Sequence, residues 1–226
     1  MDENKSSLPA IIVLVAIVIV AGFLLTKAKV PPQTNPLVKQ TNTAPTEAPF
    51  DPASIPAITV QDYVKGPSNA TTTIILYSDT QCPYCRVFYP ELKKFLTENP
   101  DVRFVYRPTP FHATGQVEEK AMDCANDQGK YWEYFDAIYT STDTENITDA
   151  TRLTKIATGL GMNGTEFSQC FTSDKYAPKT QVYLDASRSA QIKGTPTSII
   201  IGPKGTVPLK GSVGADQLAK VVNSVK

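Results

Sequence analysis

The 226-residue chain has no excess of charge of either sign: 22 lysines and arginines meet 22 aspartates and glutamates. No general attraction to nucleic acid or to anionic lipid is built into it. Histidine is nearly missing, with His112 alone, and cysteine is sparse, with Cys82, Cys85, Cys124 and Cys170. A zinc ribbon needs a second Cys-x-x-Cys pair at similar spacing. Cys124 and Cys170 stand far apart in the chain and fall in different predicted helices. A four-sulfur zinc site is therefore a weak reading of these cysteines.

The chain has one long apolar run, at its start. Ala10 to Leu25 (AIIVLVAIVIVAGFLL) contains no charge or strongly hydrogen-bonding side chain, and Leu8 and Pro9 extend it. That length is close to the lower limit for crossing a hydrocarbon core of about 30 Å. Thr26-Lys27-Ala28 matches a signal-peptide cleavage site poorly, so residues 1–25 are expected to be an uncleaved membrane anchor. Lys5 on one side and Lys27 and Lys29 on the other leave its orientation open. Residues 26–56 hold prolines at 31, 32, 36, 45, 49, 52 and 56 among Thr, Asn, Gln and Ala. Such a segment is expected to be an extended linker. Residues 57–226 are then a single domain of ordinary size.

Within it Thr73 to Ser78 is β-branched and aromatic, the pattern of a buried strand. It runs directly into Cys82-Pro83-Tyr84-Cys85. Val87, Phe88, Leu92, Phe95 and Leu96 then recur at helical spacing up to Glu98, and Val102 to Tyr106 is a second strand. Five helical patterns follow: 117–126, 131–139, 149–160, 165–171 and 179–192. Thr197 to Ile201 and Thr206 to Leu209 return to strand across the Gly202-Pro-Lys-Gly205 turn. Ala215 to Val225 closes as a helix. Without the central helices the order is βαβ followed by ββα, and strands joined by a tight turn run antiparallel. The expected sheet is mixed.

A Cys-x-x-Cys on the first turn of a helix suits thiol-disulfide exchange. Cys82 would sit at the positive end of the helix dipole, which favours its thiolate. Cys85 lies one turn below on the same face. Pro83 fits the first helical position, where no N–H is needed. The spacing also admits a copper ion held by the two sulfurs, or a structural bridge between them.

Val64 to Ala70, Ile75 to Cys85, Asp127-Gln-Gly-Lys-Tyr-Trp-Glu-Tyr134 and Gly194-Thr-Pro-Thr197 together resemble the DsbA-like thioredoxin-fold proteins, from about Ile58 onward. The resemblance implies a thioredoxin fold with an inserted helical domain, here about 112–192, and disulfide exchange with protein thiols outside the cytoplasm. It gives Cys82 and Cys85 the redox role. It also makes Thr195 and Pro196 a cis-proline loop that faces the pair and binds substrate backbone. One departure stands out: the family commonly has a buried acid six positions before the first cysteine, where this chain has Leu76. Asp79 is either a substitute for it or, as we expect, a turn residue. Cys124 and Cys170 are expected to form a structural disulfide; a second redox pair and two free thiols are the alternatives. His112 is expected at a helix start or on the surface. Tyr131, Trp132, Tyr134, Phe135 and Tyr139 are expected to pack the insertion, with part of the cluster able to border a peptide groove.

The expectation is thus a membrane-anchored, extracytoplasmic thiol-disulfide oxidoreductase that needs no cofactor. Its direction would be oxidising, its partners protein thiols and a membrane recycling partner, its state monomeric. The rival readings are a reductase or isomerase, and a copper- or peptide-binding module using the same residues.

Overall fold

The computed structural model of the chain describes residues 50–142, 148–173 and 175–226. The expected anchor, and the linker as far as residue 49, lie outside the described residues. Among the described residues no helix is long and apolar enough to cross a membrane.

A five-stranded sheet runs in the order β1 (Tyr63–Lys65), β3 (Arg103–Pro108), β2 (Thr73–Ser78), β4 (Thr197–Gly202), β5 (Gly205–Lys210). Strands β2 and β3 are parallel; the other three pairings are antiparallel. Central β2 is covered on both faces, and Ile74, Ile75, Leu76, Tyr77 and Ser78 are all buried. That is why it reads as a continuous apolar run rather than an alternation. The helices are α1 (Pro83–Glu98), α2 (Ala113–Asn126), α3 (Tyr131–Thr140), α4 (Ala150–Gly159), α5 (Gly164–Thr172), α6 (Ala177–Ser189) and α7 (Ala215–Val225). Helices α2 to α6 fall between β3 and β4, where the insertion was expected.

Alternate residues of β2 feed two cores. Ile74 and Leu76, with Phe104 and Tyr106 of β3, join Phe88, Leu92 and Phe95 of α1, Leu218 and Val222 of α7 and the aromatic residues of α3. Ile75 and Tyr77 join Val105, Ile199, Ala190 and Ile192 on the other side. Phe50 and Ile55, read as linker, pack on this second core. Two apolar side chains sufficed to dock the end of the Pro-rich segment. The adjoining stretch is pinned by Arg107, whose Nε and Nη2 donate to Asp62 at 2.7 and 3.2 Å while Nη1 donates to the Tyr77 hydroxyl at 2.8 Å.

Several boundaries differ from expectation for identifiable reasons. Edge strand β1 is three residues long, too short to display a period. Helix α2 starts at Ala113 rather than 117 because His112 is its N-cap and the first turn carries no apolar repeat. Helix α6 stops at Ser189 rather than 192. Gln191 adopts φ 54° there, and the Ile192 and Gln191 amides donate to Ser187 and Arg188 carbonyls, a Schellman-type ending.

Cys124 on α2 and Cys170 on α5 are joined by a disulfide. It closes a loop spanning 46 positions, worth about 4 kcal/mol in the chain-entropy treatment. Replacing both cysteines by alanine is expected to lower unfolding free energy by roughly 2–4 kcal/mol, measured by urea titration, with Cys82 alkylation at the wild-type rate.

Candidate active site

Between Ser78 and helix α1 the chain must turn sharply with most of its backbone buried. Asp79, itself fully buried, makes that possible. Its Oδ1 accepts from the Gln81 amide at 2.9 Å; its Oδ2 accepts from the His112 amide at 2.9 Å and stands 2.7 Å from His112 Nδ1. The carboxylate is committed to the turn, as expected of the two readings of this residue. His112 starts a helix with its side chain about half exposed. Gly115 is required opposite Asp79, because an added Cβ would strike Oδ1.

The Cys82 amide donates to the Asp79 carbonyl at 3.0 Å, and Cys82 becomes the N-cap of α1 with Pro83 in its first turn. The Cys85 and Arg86 amides both donate to the Cys82 carbonyl, at 3.0 and 3.2 Å. From the other side Arg86 Nε donates to the Thr80 carbonyl at 2.7 Å, and Nη1 to the carbonyls of Ile138 and Ser141. The motif is therefore gripped by α2 through Asp79 and by the end of α3 through Arg86.

Thr195–Pro196 is a cis peptide bond and lies against the sulfurs. Cys82 Sγ donates to the Thr195 carbonyl at 3.2 Å. The Pro196 carbonyl is held by the Gly211 amide at 2.8 Å, and Thr197 Oγ1 donates to the Gly194 carbonyl. The structure thus brings Cys82, Cys85, Thr195 and Pro196 together, and keeps Cys124 and Cys170 apart as a bridge within the insertion. Tyr84 of the motif, Val87 just after it and Phe111 just before α2 expose apolar surface.

Both cysteines are buried, Cys85 the more completely. Burial pushes its thiol up to about 12, against smaller opposing effects from the Ser78 hydroxyl, the Asp79 backbone and the Thr195 side chain. Leu76 is packed in the same core. Two other acids, which the sequence reading did not single out, are buried behind the motif on α2. Glu118 Oε2 accepts from Gln81 Nε2 at 2.6 Å and lies 3.8 Å from Arg86; Glu119 accepts from the Tyr106 hydroxyl. Burial raises the pKa of both, Glu119 strongly. The available signal was weak: acids on an inserted helix normally face water.

Tyr131, Tyr134, Phe135 and Tyr139 are buried in the first core. Trp132 instead lines a pocket of about 180 Å³ with Lys65, Tyr89, Lys93 and Phe104, which contains none of the sulfurs. Among the described residues no group of three or more His, Cys, Asp and Glu side chains is placed to hold a metal ion.

A thioredoxin family profile matches residues 59–223. A thioredoxin-like oxidoreductase from Silicibacter pomeroyi has a similar structure, with 24% identity, a TM-score of 0.60, and coverage of 72% of this chain and 91% of that one. Alpha-DsbA1 of Wolbachia pipientis is similar at 20% identity and TM-score 0.64, over 74% and 92%. At these identities the likeness is one of fold. Among curated proteins, the Na(+)/H(+) antiporter NhaA 3 of Salinispora tropica is 28% identical over 66% of this chain and 23% of its own length. NhaA 1 of Salinispora arenicola is 28% identical over 75% and 26%. The chain spans about a quarter of the length of these curated relatives.

Two outcomes follow from the packing. In a Cys82→Ser variant, Cys85 should resist iodoacetamide at pH 8, its rate climbing with pH toward about 12, because only the thiolate reacts; fast alkylation at pH 8 would contradict the burial assigned here. Gly115→Ala should cost roughly 1–3 kcal/mol in urea unfolding, the usual range for overpacking.

Proposed function

The chain belongs to the thioredoxin family, and on that premise we propose that it is a thiol-disulfide oxidoreductase acting on protein clients, with Cys82 as nucleophile and Cys85 as resolving thiol. One observation carries this reading: Cys82 at a helix start, within 3.2 Å of the carbonyl of a cis Thr195–Pro196 loop, with Cys85 buried one turn below. In the oxidising direction a client thiolate attacks Cys82 Sγ of the Cys82–Cys85 disulfide. The S–S bond breaks, Cys85 leaves with the electron pair and takes up a proton, and the client is held in a mixed disulfide. A second client thiolate then attacks the client sulfur, Cys82 leaves, and the client carries the new disulfide while the pair is reduced. Reduction is the same sequence reversed.

The Thr195 backbone offers a client an edge to pair with as an added strand, and Tyr84, Val87 and Phe111 offer apolar contact. Thr195 and Pro196 are therefore the proposed substrate-binding residues. The Cys124–Cys170 bridge supports a place outside the cytoplasm, where disulfides persist, and the oxidising direction fits that compartment. Residues 1–25 would anchor the domain and residues 26–49 would hold it clear of the membrane. A membrane oxidase linked to quinone is the proposed recycling partner, and the domain needs no cofactor and acts as a monomer.

The reduction potential of the Cys82–Cys85 pair tests the direction. A value near the strongly oxidising end, about −120 mV, is expected; one near thioredoxin's, about −270 mV, would assign the domain to reduction. With a reduced, unfolded client, Cys82→Ser should abolish oxidation; with a disulfide-bonded client, whose disulfide the Cys82 thiolate attacks, Cys85→Ser should accumulate a Cys82–client mixed disulfide visible on a non-reducing gel. Client oxidation that survives Cys82→Ser would sink the proposed chemistry.

A further inference from the structure

Behind Cys85 a line of hydroxyls runs out of the sheet into the insertion. The Ser78 hydroxyl is close enough to the Cys85 sulfur to favour its thiolate. Ser78 Oγ accepts from the Tyr139 hydroxyl at 2.9 Å, and that hydroxyl lies 3.2 Å from the hydroxyl of Tyr106. Tyr106 in turn donates to Glu119 Oε1. The four residues come from four elements, β2, α3, β3 and α2, and none is more than 3% exposed. Nothing about packing apolar core demands an unbroken polar file through it. A carboxyl group at its inner end, with a thiol at its outer end, is the arrangement of a proton path.

The surroundings of Glu119 suit a carboxyl that holds its proton. The groups acting on it are Asp123 and Glu118 of the same helix, Asp79 of the β2–α1 turn, and Tyr106. It acts in turn on the phenols of Tyr63, Tyr131, Tyr139 and Tyr183. Lys179 is paired with Asp123, and Arg86 faces Glu118. Burial among acids therefore favours the neutral form, against a smaller opposing effect of the Tyr106 hydrogen bond.

Resting on the exchange reading above, we propose that Glu119 supplies and recovers the proton of Cys85 through Tyr106, Tyr139 and Ser78. When a thiolate attacks Cys82 Sγ and the bond to Cys85 breaks, the electron pair goes to Cys85 Sγ. Ser78 gives its proton to that sulfur, Tyr139 reprotonates Ser78, Tyr106 reprotonates Tyr139, and Glu119 reprotonates Tyr106. Each hydroxyl loses one proton and gains one; the net change is carboxylic acid to carboxylate and thiolate to thiol. When the pair is re-oxidised Cys85 returns the proton along the same file as its sulfur attacks. Hydroxyl hydrogens rotate freely enough to reverse the chain. Glu119 touches no sulfur, so it is a positioning residue acting through three hydroxyls.

The test is the rate at which the oxidised full-length protein is reduced by dithiothreitol, followed by quenched-flow counting of free thiols across a pH series in H₂O and D₂O. The wild-type rate, divided by the concentration of dithiothreitol thiolate at each pH because only the thiolate attacks, should fall as pH rises and Glu119 loses its proton, with a solvent isotope effect. Glu119→Gln should be slower on the order of 10- to 100-fold, at or below the low end of what a positioned acid contributes. Its pH profile should flatten and its isotope effect shrink, while alkylation of Cys82 in the reduced protein keeps its rate. Tyr139→Phe, which removes a single hydroxyl, should reproduce the loss and decides the matter if the glutamine variant does not fold. A folded variant of either kind with the wild-type rate and pH profile would overturn the relay. Dithiothreitol needs no client, so a wild type inert toward reduced proteins would sink the exchange reading separately and leave the relay result standing.

Discussion

A single buried carboxylate sets the geometry of the site. Asp79 is fully enclosed, and leaving such a charge without partners costs several kcal/mol. The turn after β2 and the first residue of the insertion therefore converge on it, each delivering a backbone amide. This convergence fixes two things at once. It aims the Asp79 carbonyl at the Cys82 amide, starting α1 with Cys82 at its cap. It also fixes where α2 begins, which puts Glu118 and Glu119 behind the sulfurs rather than in water. Gly115 is the consequence on the opposing side, since a side chain there would displace the carboxylate it faces.

Elements whose burial is decided locally were legible in the sequence. Thr73–Ser78 and Ala215–Val225 begin and end where their patterns do, the first because both faces are covered and the second because one apolar stripe docks on the sheet. Pro90 lies inside α1 without ending it; its ring is on the solvent side, where the carbonyl it deprives of a partner can be hydrated. Strand β1 was not legible, because its three residues are recruited by the edge of β3. Phe50 and Ile55 were hidden in a stretch whose prolines outweigh them. The cysteines and the Thr195-Pro196 loop were legible because residue type, spacing and order restrict the alternatives. Glu118 and Glu119 were not. Burial of an acid on an amphipathic helix depends on which way the helix is turned, and Asp79 and Arg86 decide that from 30 or more positions away.

Buried ion pairs recur wherever segments distant in sequence must be held in one register. Arg107 and Asp62 join the leading segment to β3, with both side chains nearly enclosed. Asp123 draws in Lys179 together with the hydroxyls of Tyr63 and Tyr183, connecting α2, α6 and β1. Pairs of this kind contribute little net stability once desolvation is counted. Their weight is in the alternatives they penalise, since any other placement of α6 would strand Asp123 in the core. The Cys124–Cys170 bridge ties α5 to the same helix, so α2 is fixed along its length by Asp79, Asp123 and Cys124.

That fixed helix explains how two cysteines three positions apart come to differ. Cys82 faces the Thr195 carbonyl at the helix start, while Cys85 is turned inward, where burial holds its thiol protonated. An inward thiol needs polar company, and β2 offers little: Leu76 is apolar, and Ser78 is the hydroxyl within reach. The missing groups arrive from the insertion, as Tyr139 on α3 and Glu119 on α2. Without those helices the hydroxyls of Ser78 and Tyr106 would lose these partners, at about 1–3 kcal/mol for each group left unsatisfied. The thioredoxin-like half and the helical half therefore share one polar core, and the insertion is part of the site rather than an appendage to it.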